Sequence, residues 1–167
     1  FKTLGALIAV AVLLALLPGS HVQGATLCVN PGGTGGCYGD IQGAIDAAQD
    51  GDTIDIAAGD YFPAAAGGVH LTIDKSITLI GAGRNATRII FTEGSSIGLA
   101  INAGSGVTLG PVKIQGVGFF NVSGGLSGWS ADYPVRIGQT GGTFEKIELE
   151  DVRIYRGKAD NLHFDAN

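Results

Sequence analysis

The sequence contains no methionine, and only 15% of its 167 residues are charged. Because a primary translation product begins with Met, a chain that starts at Phe1 is expected to lack its natural start. The formal net charge is −5 at pH 7, whereas nucleic-acid binding depends on an excess of Lys and Arg at the binding surface. The composition therefore argues against a nucleic-acid partner.

Glycine, in contrast, is abundant: 29 of the 167 residues are Gly, against a usual share of about 7%. No Gly-X-Y triplet runs through the chain, which excludes a collagen-like structure. A hydrophobic content of 45% excludes a disordered linker. Many glycines together with β-branched residues and few charges predict short strands joined by tight turns.

A single long apolar run, residues 4–17, lies near the start of the chain. It is shorter than the roughly 20 residues that a membrane-spanning helix needs. Lys2 precedes it, Pro18 breaks it and small residues follow at positions 24–25, as in a secretory signal peptide. We expect residues 1–24 to be removed, leaving a secreted or cell-surface protein without a transmembrane span; the alternative is an uncleaved anchor.

The two cysteines, Cys28 and Cys37, lie in a Gly-rich segment, residues 25–39. In an oxidising compartment two cysteines separated by a flexible loop favour a disulfide bond. Two free thiols are the alternative interpretation.

One stretch has helical periodicity. Apolar residues recur at i, i+3, i+4 and i+7 from Ile41 to Ala48, which predicts an amphipathic helix over residues 40–49. Asp40 is the predicted N-cap and Gly51 the predicted stop.

After this helix the chain reads as short strands separated by Gly, Asp, Asn or Ser. The predicted strands are residues 53–57, 70–73, 77–80, 88–92, 99–102, 107–109, 112–115, 117–121, 135–138, 145–150, 152–156 and 161–164.

Similar residues recur at intervals of 35 along these strands. The best examples are the series Ile77, Val112, Ile147 and the series Leu79, Ile114, Leu149. Such a repeat predicts an all-β parallel solenoid of about three to four coils, with the helix covering the open first coil. An antiparallel β-sandwich is the alternative. Because no capping helix follows the last predicted strand, we expect the chain to be truncated at its C-terminus.

Two motifs add a resemblance to this pattern. The run from Asp40 to Tyr61 (DIQGAIDAAQDGDTIDIAAGDY) and residues 73–81 (IDKSITLIG) resemble the opening of right-handed parallel β-helix proteins of the pectin-lyase-like superfamily. The resemblance implies a right-handed β-helix with an N-terminal capping helix. It does not fix activity, because the superfamily includes lyases, pectinesterases, adhesins and many surface proteins.

The resemblance leaves two functions open. One is a secreted or cell-surface protein that is glycan-associated or adhesive, with no cofactor. The other is the N-terminal part of a polysaccharide-active enzyme, pectate/pectin lyase-like or pectinesterase-like, which would use Ca²⁺ if it is a lyase.

Candidate site residues follow from the alternation of side chains along the strands. The predicted outward columns are Thr78, Lys113 and Glu148, followed by Gln115 and Glu150. Enzymes of the superfamily carry their acids, bases and calcium ligands on such a face, so the resemblance makes catalytic candidates of Lys113, Glu148, Glu150 and Asp151. The alternative is a solvated face with a Lys113–Glu148 ion pair between coils.

The longest insertion between predicted strands, residues 124–133, contains Trp129 and Tyr133. Aromatic side chains on a loop beside a flat β-face can stack on sugar rings, which makes both residues candidates for glycan binding. The alternative for Trp129 is that it folds back over the solenoid. Asn85 and Asn121 begin N-x-S/T sequons, which would carry glycans only in a eukaryotic source.

Overall fold

A computed structural model describes residues 24–92, 97–121, 133–139, 142–155 and 162–164. The predicted signal peptide, apart from residue 24, lies outside the described residues, and so does Trp129. In the described part of the chain, no helix has both the length and the apolar character needed to cross a membrane.

The described residues form one α-helix and fifteen short strands. The helix is α1 (Ile41–Ala47). The strands are β1 (Thr26–Val29), β2 (Thr53–Ile56), β3 (Gly59–Tyr61), β4 (Val69–Ile73), β5 (Thr78–Gly81), β6 (Thr87–Phe91), β7 (Ile97–Ala103), β8 (Thr108–Leu109), β9 (Val112–Gln115), β10 (Gly118–Asn121), β11 (Tyr133–Gln139), β12 (Thr143–Phe144), β13 (Ile147–Glu150), β14 (Arg153–Tyr155) and β15 (Leu162–Phe164).

These strands build four sheets in which every described ladder is parallel. Sheet A has the order β1-β2-β5-β9-β13, sheet B β14-β10-β6-β3, sheet C β15-β11-β7-β4 and sheet D β12-β8. The chain therefore visits sheets A, B and C in the same sequence several times, and each visit adds one strand beside the previous one. The described part of the chain is all-β with mostly parallel strands and one helix, an arrangement consistent with a parallel β-helix.

The register between strands confirms the 35-residue repeat. Leu79 of β5 pairs with Ile114 of β9, and Ile114 pairs with Leu149 of β13. The same spacing joins Phe120 to Tyr155 in sheet B. A repeat in side-chain character thus predicted which residues stack, because each position in a parallel ladder meets its counterpart in the next coil.

Alternation along the strands fills the core. Leu79 and Ile114 are fully buried, whereas their neighbours Thr78 and Lys113 are only partly covered. The predicted division into inward aliphatic and outward polar columns is confirmed for these strands.

Helix α1 packs its apolar face onto the same core, with Ile41, Ala44 and Ile45 buried. Asp40 is the N-cap, as predicted, and its Oδ1 accepts a hydrogen bond from the Gly43 N–H at 2.6 Å. The predicted end of the helix was wrong. It ends at Ala47, because Ala48 adopts an extended backbone as the C-cap, and Gly51 lies in the following turn.

The helix also closes an open edge of sheet C. β4 is the outermost strand of that sheet, and the side-chain amide of Gln42 pairs with its backbone. Gln42 Oε1 accepts from the Thr72 N–H at 2.9 Å, and Gln42 Nε2 donates to the Thr72 carbonyl at 3.3 Å. The amide therefore takes the place that a neighbouring strand would occupy.

The Gly-rich segment before the helix contributes more than the loop expected from its sequence. Its residues 26–29 form β1, which extends sheet A by one strand beside β2. The predicted Cys28–Cys37 disulfide is present and closes the loop that follows β1. Strand β3 was missed as well, and its Tyr61 hydroxyl donates to the Ala57 carbonyl at 2.9 Å.

Candidate functional site

The charged candidates predicted from the alternation lie on the outer side of sheet A. Lys113 on β9 is directly opposite Glu148 on β13, and Gln115 is opposite Glu150. The Lys113 ammonium contacts the Glu150 carboxylate at 2.7 Å. This hydrogen bond, together with the negative charges of Glu150 and Glu148, raises the pKa of Lys113 above its ordinary value of 10.5.

The predicted Lys113–Glu148 ion pair was therefore wrong. Lys113 takes the diagonal partner Glu150, and Glu148 pairs with Lys146 at 3.2 Å. A diagonal neighbour two residues along the facing strand is within reach of long side chains, so direct opposition does not decide the pairing.

Asp151, the fourth charged candidate, belongs to a corner between two sheets. Its backbone has a φ of 47°, in the left-handed region, and its carboxylate contacts Arg84 at 3.2 Å. Gly116, 35 residues earlier, has a φ of 66°. Asp tolerates this conformation better than most residues, so Asp151 acts as the turn residue that Gly provides in the previous coil.

The structure thus brings together only part of the predicted set: Lys113 with Glu150, while Glu148 and Asp151 have other partners. The raised pKa of Lys113 favours the ammonium form, which joins β9 to β13 of the next coil through Glu150.

Tyr133 was expected on a loop, and this was wrong: it is the first residue of β11. Its ring packs against that of His163 on β15, with centroids 4.4 Å apart and planes inclined by 33°. Arg136 of β11 pairs in register with His163. Sheet C therefore brings a Tyr, a His and an Arg side chain onto neighbouring strands, each half-buried.

No role was predicted for His163 or Arg136, because the distances in sequence that separate them from their strand partners differ from 35 residues. Arg136 lies 36 residues after its partner Ala100 and 27 before His163 (136 − 100 and 163 − 136). Only the strand order reveals that these positions are adjacent.

His70, which also had no assigned role, is a structural residue. It is buried and stacks on Phe91 with centroids 5.2 Å apart. Its Nδ1 lies 2.7 Å from the Pro63 carbonyl and its Nε2 lies 3.0 Å from the Thr92 carbonyl. The imidazole thereby links the loop before β4 to the end of β6.

The two sequon asparagines differ in access. Asn121 is fully buried in β10, whereas Asn85 is exposed in the turn before β6. In the folded chain only the amide of Asn85 is accessible to a large modifying group.

Among the residues that the structure describes, no group of three or more His, Cys, Asp or Glu side chains is arranged to hold a metal ion. No protein-family model matches the chain, and no curated protein matches it significantly.

Proposed function

We propose that this chain is a right-handed parallel β-helix of the pectin-lyase-like type, secreted or displayed at a cell surface, and that it is glycan-associated or adhesive. The strand order through sheets A, B and C supports the architecture. The resemblance of residues 40–61 and 73–81 supports the handedness and the superfamily, and the signal-like segment at residues 1–24 supports the location.

The observation that carries the proposed glycan association is the Tyr133–His163 ring pair on sheet C. Aromatic rings present a wide apolar face with polar edges, which suits the apolar faces of pyranose rings. A stack of parallel coils can present such rings along a continuous surface, which suits a polymer better than a single small molecule.

The test is a depletion assay with insoluble cellulose, galactan and polygalacturonate. We expect at least one polymer to remove the protein from solution, and Tyr133→Ala to weaken that binding by about tenfold, in keeping with one lost stacking contact. Phe62→Ala is the matched control, because Phe62 is an exposed aromatic residue outside sheet C. Equal losses for both variants, or no binding to any polymer, would reject the proposed function.

A second function, the N-terminal part of a polysaccharide lyase or esterase, is favoured by the adjacency of Arg136 and His163. An imidazole beside a guanidinium can move a proton next to a negatively charged sugar. The assay follows the absorbance of unsaturated product during incubation with polygalacturonate and Ca²⁺. Product formation that disappears in His163→Ala supports the lyase, and no product at any Ca²⁺ concentration rejects it.

A further inference from the structure

The outer side of sheet B carries a pair of aromatic rings that the proposed function does not use. Phe120 of β10 and Tyr155 of β14 are direct register partners, with ring centroids 6.0 Å apart and planes inclined by 53°. Tyr155 is 40% exposed, a high value for a large ring on a sheet. Tyr155 therefore presents part of its apolar ring to solvent.

A guanidinium group is fixed over these rings. The Arg153 Cζ lies 5.7 Å from the Phe120 centroid and 5.5 Å from the Tyr155 centroid. Arg153 also donates a hydrogen bond to Asn85 Oδ1 at 3.1 Å. Two cation–π contacts and one hydrogen bond hold the guanidinium in place, so little side-chain entropy remains to be lost when it binds a ligand.

Neighbouring arginines differ from Arg153 in their partners. Arg88 forms a two-bonded pair with Asp60, and Arg84 pairs with Asp151. Within the described residues Arg153 has no carboxylate partner, and its remaining N–H donors are available. Its positive charge is therefore not compensated, although the chain as a whole carries −5.

A surface depression lies beside Arg153. A shallow depression of about 290 Å³ is lined by Arg84, Asn85, Val152 and Arg153. Gly118 is the register partner of Arg153, and a Cβ there would lie 2.3 Å from the Arg84 carbonyl oxygen and 2.6 Å from the Phe120 ring. Glycine at this position therefore lets both the Arg84 backbone and the Phe120 ring approach the strand closely.

We propose that this cluster, Arg84, Asn85, Phe120, Arg153 and Tyr155, binds a carboxylate carried on a six-membered ring. The planar fork of Arg153 matches a carboxylate with two parallel hydrogen bonds. The exposed ring of Tyr155 supplies the face on which the ligand's own ring rests. Both an aromatic acid and a uronic acid have this chemistry. The site lies on sheet B and does not rest on the proposed glycan association, which uses sheet C.

The test is a titration of the ¹⁵N-labelled full chain followed by NMR, with glucuronate and benzoate as the two ring-bound carboxylates. Glucose, benzyl alcohol and acetate are the matched probes that lack either the carboxylate or the ring. We expect millimolar binding of one or both ring acids, with shifts at the Arg153 side chain and the Asn85 amide. Binding of glucuronate alone or benzoate alone identifies the source of the carboxylate.

Arg153→Gln should weaken binding by about tenfold or more, as expected for a lost charge-assisted hydrogen-bonded pair. Arg153→Lys keeps the charge but loses the fork, so an intermediate loss is expected. Arg88→Gln is the control, because Arg88 lies on the same sheet and is already paired with Asp60; it should leave the affinity unchanged. The amide spectrum of each variant verifies that it is folded.

Three results would overturn the proposal. The first is acetate binding as tightly as the ring acid that binds. The second is that ring acid binding no more tightly than its counterpart without the carboxylate, glucose for glucuronate or benzyl alcohol for benzoate. The third is Arg153→Gln binding like the wild type. Absence of shifts with every probe refutes it as well. None of these outcomes bears on Tyr133, so the glycan assay remains a separate test.

Discussion

The side-chain amide of Gln42 offers a direct test of how the helix closes the first coil. Gln42→Ala removes both hydrogen bonds to Thr72, at 2.9 and 3.3 Å, and leaves a backbone N–H and carbonyl of β4 without their partner. Each such bond contributes about 0.5–1.5 kcal/mol, so the loss is about 1–3 kcal/mol. Ala is a slightly better helix former than Gln, which returns a few tenths of a kcal/mol.

The measurement is urea unfolding of wild type and variant, with amide hydrogen exchange at Thr72 as a local readout. We expect Gln42→Ala to lower the free energy of unfolding by about 1–2.5 kcal/mol and to speed Thr72 exchange. Gln42→Glu keeps an acceptor for the Thr72 N–H but places a charge against the Thr72 carbonyl, so it should not restore stability.

Asp46→Ala is the control, since Asp46 accepts from Gln42 Nε2 at 2.8 Å on the exposed side of the same helix. It should change the free energy of unfolding by less than about 0.5 kcal/mol. The reasoning is refuted if Gln42→Ala is no more destabilising than this control, or if the Thr72 amide exchanges at an unchanged rate.

Three further predictions concern other parts of the fold. The double variant Cys28→Ser/Cys37→Ser should lower the free energy of unfolding by about 2–3 kcal/mol in chemical denaturation, because the disulfide closes a short loop in the unfolded chain. Equal stability of the wild type with and without reductant would contradict this prediction. Burial raises the pKa of Tyr61 above its ordinary value of 10.0, so the stability that its neutral hydroxyl contributes is present below pH 10.0 and is lost as the pH rises through the higher folded-state pKa. Tyr61→Phe should therefore flatten the fall of the urea unfolding midpoint above pH 10.0. An unchanged pH profile of the midpoint would contradict this prediction. Ile114→Ala should cost about 2–5 kcal/mol in urea unfolding because Ile114 is fully buried between Leu79 and Leu149, whereas the outward substitution Lys113→Ala should cost less than about 1 kcal/mol.

The core register could be predicted from the sequence because repeated coils need like residues at like positions. Ile114 and Leu149 stack at the predicted interval. The short strands β1 and β3 were missed for the opposite reason: each has only three or four residues, and no earlier coil of similar sequence indicates their place. Parallel pairing with β2 and β6 defines them instead.

The candidate sites were harder to predict, because they depend on diagonal contacts and irregular loops. The choice of Glu150 over Glu148 by Lys113 is a matter of side-chain reach across two neighbouring columns. The repeat did match Phe120 with Tyr155, but it gave no sign that Arg153 lies over both rings. That position depends on side-chain contacts with Asn85, Phe120 and Tyr155, which lie on other coils or two residues along the same strand.

The parallel ladders also determine the mechanical character of the chain. Since the hydrogen bonds of the sheets run from one coil to the next, a force along the stacking direction acts on successive coils in series, and the weakest end separates first. At the helix end, separation must remove β1 from β2, release Gln42 from Thr72, and free the Asp52 carboxylate from the Ala25 and Gln49 N–H groups. These contacts are therefore expected to make the helix end resist separation more strongly than the β1–β2 ladder would alone.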